Sequence, residues 1–322
     1  MRASLAALLL ALGLHQAAAQ PLLAGYHESW AEQRVATPEA TRLARLPAAF
    51  DLVFLAFARP DARYRGDFDL RGTGLGFPFD GHFARDAVRA LRRRHPAVKL
   101  LLSVGGATYA DWSVLEAGAL ARLVVDLELD GLDVDFEPGF PGCRADAAGQ
   151  VACASDARFI AVVRALRQAL PRPWLLAVAG WSVGAYGEGE WREAQPRGRY
   201  TGLALGLLRS PLAAEIDLLS IMAYDAGTRL DPAQAFAAYR ARFAGRLLLG
   251  FSVQDMAGLV PAARLERART LAAAMARPDA GVMLYSLQMT HPQDRPGETH
   301  RAALARALCG GLGRGGCDGP LP

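Results

Sequence analysis

Asp130-Gly131-Leu132-Asp133-Val134-Asp135-Phe136-Glu137 alternates acidic and apolar residues. That period of two is the period of a β-strand. Asp133, Asp135 and Glu137 therefore project from one side of the strand, and Leu132, Val134 and Phe136 from the other. Three carboxyls in a row repel one another, and folding alone gives no reason to place them together. The repulsion has a chemical use, because it raises the pKa of one carboxyl until it holds a proton near neutral pH. A solvated edge strand would also tolerate such a face. However, the apolar run Leu123-Val124-Val125 leads into the segment and argues for a buried parallel strand.

Outward from this stretch, short apolar runs alternate with helical patterns. The strand candidates are Leu22–Gly25, Leu52–Ala58, Val98–Val104, Gly131–Phe136, Trp174–Ala179, Ile216–Ala223, Leu247–Phe251 and Gly281–Leu287. Helical patterns occupy Pro38–Leu46, His82–His95, Trp112–Leu127, Ser155–Leu170, Tyr200–Arg209, Pro232–Phe243, Pro261–Ala276 and Thr299–Leu308. Eight strand–helix units predict an α/β fold, a (β/α)8 TIM barrel over residues 20–308. An open doubly wound sheet would need no eighth unit, and no Gly-rich dinucleotide loop is present. The segment between the seventh and eighth strands reads as one helix, so a single domain without an inserted α+β domain is expected.

The N-terminus reads as a secretory signal over residues 1–19. Met1-Arg2 is a short positive start, Leu5 to Leu14 is apolar, and Ala17-Ala18-Ala19 fits a cleavage site near Ala19. The apolar run is too short to span a bilayer, and no cysteine lies nearby to carry a lipid. No membrane anchor is therefore expected, and the chain reads as a secreted or periplasmic bacterial protein. The four cysteines suit an exported protein and fall in two close pairs, Cys143 with Cys153 and Cys309 with Cys317. Local bridging is preferred among the three possible connectivities, and it would pin a loose Gly-rich tail at 309–322. Zinc is disfavoured, because the spacings are long and no His lies close to either pair. The six histidines show no metal spacing; His27 and His291 read as surface or loop residues. Neither a metal nor an organic cofactor is expected.

The net charge is +4, but Lys99 is the only lysine and nearly all the positive charge is arginine. The densest cluster, Arg92-Arg93-Arg94, ends a helical pattern, where cations suit the carbonyl end of the dipole. A solvated helix end is preferred to a nucleic-acid patch.

In a barrel, the active site forms at the C-terminal ends of the strands. Glu137 ends the fourth strand, Ser103-Val104-Gly105-Gly106 the third and Met222-Ala223-Tyr224-Asp225 the sixth, and Tyr285 lies near the end of the eighth. This set resembles the family 18 glycoside hydrolases, the chitinase family. The DxxDxDxE signature is complete as Asp130, Asp133, Asp135 and Glu137; SxGG is present as Ser103–Gly106 and MxYD as Met222–Asp225. Gly25-Tyr26 and Ala56-Phe57-Ala58 resemble the family's first two strands.

The resemblance implies that Glu137 gives a proton to the glycosidic oxygen. The substrate's own N-acetyl carbonyl would act as the nucleophile, forming an oxazolinium ion. Asp135 would hold the amide N–H, Asp133 would lie deeper and stay protonated, and Tyr224 would aim the acetamido group. Tyr26, Ser103, Met222, Asp225, Tyr285 and Trp181 are the implied substrate-binding residues, with Tyr285 as the floor under the sugar.

Two departures stand out. The family usually carries Trp where Tyr285 stands, and Pro138 directly follows Glu137 where many members have an aromatic first. Trp30, Trp112 and Trp191 are further stacking candidates. Chitin or an N-acetylglucosamine-containing oligosaccharide is the implied partner, cut by an endo-acting monomer in an open cleft. The N-glycan core, peptidoglycan, and a non-catalytic chitin-binding lectin remain alternatives. One rival motif, Gly180-Trp181-Ser182-Val183-Gly184, matches the esterase nucleophile elbow. An elbow needs a helix directly after the serine, and here Gly184, Gly187 and Gly189 follow.

Overall fold

The computed structural model describes residues 20–254, 261–297 and 299–322; the expected signal segment lies outside them. In chain order the strands are β1 (Leu22–Glu28), β2 (Leu52–Ala58), β3 (Lys99–Gly105), β4 (Gly131–Asp135), a short hairpin β5 (Cys143–Ala145) and β6 (Val151–Cys153), then β7 (Leu175–Trp181), β8 (Leu218–Met222), β9 (Arg246–Ser252) and β10 (Ala280–Tyr285). All but the hairpin strands close into one barrel in the order β1-β2-β3-β4-β7-β8-β9-β10 and back to β1. The helices are α1 (Gly81–Arg94), α2 (Ala117–Asp126), α3 (Asp156–Ala169), α4 (Leu205–Arg209), α5 (Pro232–Arg240), α6 (Pro261–Ala274) and α7 (His300–Gly311). The barrel expected from the alternation is present. Among the described residues, α6 is the one element between β9 and β10.

The period of two divides the core as β4 requires. Leu132, Val134 and Phe136 join the outer layer between strands and helices. Inside the barrel, Ala24, Tyr26, Phe54, Leu101, Ala177, Ala179, Leu218, Met222, Leu248 and Met283 pack together. A fully buried side chain of the Leu or Phe kind stabilises by about 1.5–3 kcal/mol relative to an exposed one, so this two-layer core fixes the strand register.

The N-terminal rim is tied by three aspartates. Asp51 accepts from the Leu23 amide at 2.8 Å, Asp130 from Leu100 at 2.9 Å and Asp217 from Leu176 at 2.9 Å. Asp130, the first acid of the signature, therefore serves the rim. It also accepts from Arg92 at 2.6 Å and Lys99 at 3.0 Å. Arg93 pairs with Glu39 at 2.6 Å and Arg94 donates to the Ala44 carbonyl at 2.8 Å. The arginine cluster is thus spent on the protein itself.

Four expectations change. Pro38–Leu46 is a 3-10 turn over Pro38–Ala40 instead of a helix, because Glu32 takes the amides of Arg42 (3.1 Å) and Leu43 (2.7 Å) that a helix would need. The pattern starting at Tyr200 becomes helical only at Leu205, because Gly202 adopts a φ of +86°. The tail is not loose: Arg314 donates to Asp51 at 2.7 Å and to the Pro21 carbonyl at 3.0 Å. His27 is fully buried, with Glu32 at 3.1 Å and Gln288 at 2.9 Å on its two ring nitrogens.

Both disulfides join the expected partners, Cys143 to Cys153 and Cys309 to Cys317. The first staples the β5–β6 hairpin, which the sequence pattern did not announce.

Candidate active site

The C-terminal mouth of the barrel collects the acids of β4. Asp133 is fully buried. Its Oδ2 accepts from the Tyr26 hydroxyl at 2.8 Å and from the Ser103 hydroxyl at 2.7 Å. Burial pushes Asp133 up to about 6, against the pull of those two hydrogen bonds.

Asp135, one layer higher, is also buried and lies between two other carboxyls. Burial, then the charges of Glu137 and Asp133, hold it well above the usual carboxylate range. Burial pushes Glu137 up to about 7; the hydrogen bond from Asp135 and the Arg199 guanidinium draw it back, while Asp225 pushes it further. Both carboxyls are therefore shifted toward the protonated form, and they titrate as a pair. Asp133, which the resemblance implies stays protonated, is raised in that direction by burial, and the two hydroxyls that hold back the rise come from β1 and β3.

The glycines after Ser103 explain how β3 can lie so close. Gly105 has a φ of +105°, and a Cβ there would strike the Asp135 carbonyl and the Trp112 ring. The amide of Gly106 donates to that same carbonyl at 2.9 Å. The SxGG segment thus holds both Asp133 and Asp135.

Tyr26 and Ser103, expected to bind substrate, are buried beneath the mouth and act on Asp133 instead. Met222 faces the packed barrel interior and contributes packing. Tyr224 and Tyr285 stand together above, with ring centroids 5.8 Å apart and planes 18° from parallel; Tyr26 meets Tyr285 edge-on at 5.6 Å. Burial and the nearby acids raise the pKa of both Tyr224 and Tyr285, so each remains a hydroxyl donor. Burial also raises Asp225, whose backbone takes a φ of +54°.

The tryptophans separate. Trp112 is core, with its ring tilted 48° against Phe136 at 5.2 Å. Trp191 packs partly buried against the outer core. Trp30 is 49% exposed and lies over Phe57 at 6.0 Å. Trp181 stacks on Tyr200 at 3.9 Å. Tyr200 and Arg199 were not legible as site residues, since they sit on a long loop with no motif. Phe140, on the loop after Glu137, is 95% exposed.

Ser182 of the rival elbow is fully buried, and a turn follows it in place of a helix. That geometry removes the esterase reading. Among the described residues, no group of His, Cys, Asp and Glu is arranged to hold a metal ion.

No protein-family profile matches the chain. A chitinase of Plasmodium falciparum (isolate 3D7) is 30% identical over 129 residues, which cover 36% of this chain and about a third, 32%, of that relative. Among solved structures, a GH18 chitinase from Pseudoalteromonas aurantia superposes with a TM-score of 0.58 at 21% identity, covering 89% of this chain and all of the other, 100%. A GH18 chitinase from Cycas revoluta in complex with (GlcNAc)3 gives a TM-score of 0.50 at 18% identity, covering 72% of this chain and 68% of that one. The chain has the fold of the GH18 chitinases.

Proposed function

We propose that this chain is a family 18 glycoside hydrolase, exported, which cleaves β-1,4-linked N-acetylglucosamine polymers with retention of configuration. The observation that carries the reading is the pair Asp135–Glu137, two neighbouring carboxyls at the mouth of the barrel that burial pushes toward their protonated forms. A general acid works best with a pKa near the operating pH, and Glu137 at about 7 meets that condition. Most retaining glycosidases use a second, ionised carboxylate as nucleophile. Here the nearest candidate, Asp135, is held protonated, which makes it a poor nucleophile and a good hydrogen-bonding partner for an acetamido group.

The cycle then follows. The proton of Glu137 passes to the leaving oxygen as the acetamido carbonyl oxygen attacks the anomeric carbon. Asp135 turns its carboxyl to the amide N–H, passes its proton to the Asp133 carboxylate beneath it and, now ionised, offsets the positive oxazolinium. Tyr224 donates its hydroxyl to the acetamido oxygen, with Tyr285 under the ring and Asp225 at the neighbouring sugar. Glu137 next takes a proton from water, which opens the ion from the opposite face.

The exposed Trp30 over Phe57 suits stacking of a further sugar. Intact Glu137 argues against a lectin. Two disulfides favour an oxidising compartment, and among the described residues no helix is long and apolar enough to cross a membrane. Endo action and a monomeric state are part of the proposal.

The test is a product profile on chitotetraose and on a high-mannose glycopeptide in parallel. Cleavage of chitotetraose to shorter oligosaccharides supports the reading. Cleavage of the glycopeptide alone would replace chitin with N-glycans, and tight binding of chitotetraose with no cleavage would make the protein a lectin.

A further inference from the structure

The loop that leaves Glu137 is held from the side by residues that no motif marks. Arg199 donates from Nη1 to the carbonyl of Gly139, two residues past Glu137, at 3.4 Å. Its guanidinium lies 4.7 Å over the Tyr200 ring. Tyr200 in turn stacks on Trp181, at the end of β7, with centroids 3.9 Å apart and planes 14° from parallel. A mobile surface arginine would have to give up rotamer freedom to sit there; a three-layer stack anchored on a barrel strand supplies the compensating contacts. Arg199 is not used elsewhere. Its neighbour Arg197 is taken by Glu193 at 3.0 Å and Arg209 by Glu188 at 2.6 Å, whereas among the described residues no carboxylate lies within ion-pair distance of Arg199.

We infer that Arg199, braced on Tyr200 and Trp181, is a positioning residue that holds a guanidinium against the loop leaving Glu137. The inference rests on the proposed function, in which Glu137 must alternate between acid and base. The groups around Glu137 show why a cation is needed. Asp135 faces it from β4, Asp225 and Tyr224 from the segment after β8, and Tyr285 from the end of β10. All of them are acidic or neutral. When Glu137 gives up its proton, the one cation that acts on the new charge among the described residues is Arg199, which draws its pKa down.

The sign is fixed: removing the cation raises the pKa of Glu137, so the acid form persists to higher pH. Arg199→Gln should move the alkaline limb of kcat/KM upward by roughly half a pH unit, a modest shift because the guanidinium is exposed and screened. Wild type should show a similar upward move in high salt, and the variant little further change. Arg199→Lys, which keeps the charge, should lie near wild type.

The same shift is to be read without turnover, by NMR titration of the Glu137 carboxyl in protein with carbon-13-labelled glutamate. An absent wild-type activity on chitotetraose would overturn the proposed function and leave this titration standing as the test of Arg199. A Glu137 titration in Arg199→Gln that coincides with wild type, with the same response to salt, would overturn the inference.

Discussion

Replacing Glu137 with Gln should make the protein more stable at pH 8 and leave it nearly unchanged at pH 4. Glu137 titrates at about 7 in the folded protein against an ordinary value of 4.5. Between those values the native state binds the proton and the unfolded chain does not. Stability therefore falls as pH rises through this window, and stays reduced above it. At 1.36 kcal/mol per pH unit, the full cost at pH 8 has a ceiling of about 3 kcal/mol. Two effects reduce it. Glu137 is only partly buried, and Asp135 keeps its own titration once its neighbour is gone. A gain of roughly 1–2 kcal/mol at pH 8 is expected, which for a chain of this size is a Tm rise of about 1.5–3 °C. Gln keeps the volume of Glu and its amide oxygen can accept from Asp135, so no cavity opens to mask the effect. Thermal melts of both proteins at pH 4, 6 and 8 measure it, alongside turnover, which should be nearly abolished while sugar binding survives. An equal Tm difference at pH 4 and pH 8, or a loss of stability at pH 8, would refute the claim that burial and neighbouring acids hold the proton on this cluster.

Asp135→Asn should slow turnover by about a hundredfold or more, since an amide cannot offset the developing positive charge. Cleavage of partly deacetylated oligosaccharides should leave N-acetylated sugars at the new reducing ends, and frequent glucosamine there would contradict substrate assistance. Tyr26→Phe and Ser103→Ala each remove a hydroxyl that stabilises the Asp133 carboxylate, so each should raise the pKa of Asp133 above about 6 and stability should fall by about 1 kcal/mol at pH 8. Carboxyl NMR of carbon-13-labelled aspartate reads the first effect and urea unfolding the second; an unchanged Asp133 titration would show that the two hydroxyls serve packing alone.

The alternation of Asp133, Asp135 and Glu137 with Leu132, Val134 and Phe136 was enough to orient β4, because side-chain direction in a strand is a local property of the backbone. The same holds for the other barrel strands, whose apolar runs mark them within a few residues of their observed ends, and for the close cysteine pairs. Local pattern failed where a distant side chain intervened. Glu32 claimed the amides that Pro38–Leu46 needed for a helix, and the β5–β6 hairpin rests on a disulfide and on Glu188, which accepts from the Val151 amide at 2.6 Å. His27 looked like a loop residue until β1 and the segment after β10 enclosed it. Within the site, sequence named the carboxyls but not the groups that shift them. Those are the hydroxyls from β1 and β3 that reach Asp133, the carboxyls on either side of Asp135, and the Arg199 guanidinium beside the loop after Glu137. A pKa is set by charge and solvent within a few ångströms in space, and barrel closure alone brings those groups, dozens of residues apart in the chain, to the same point.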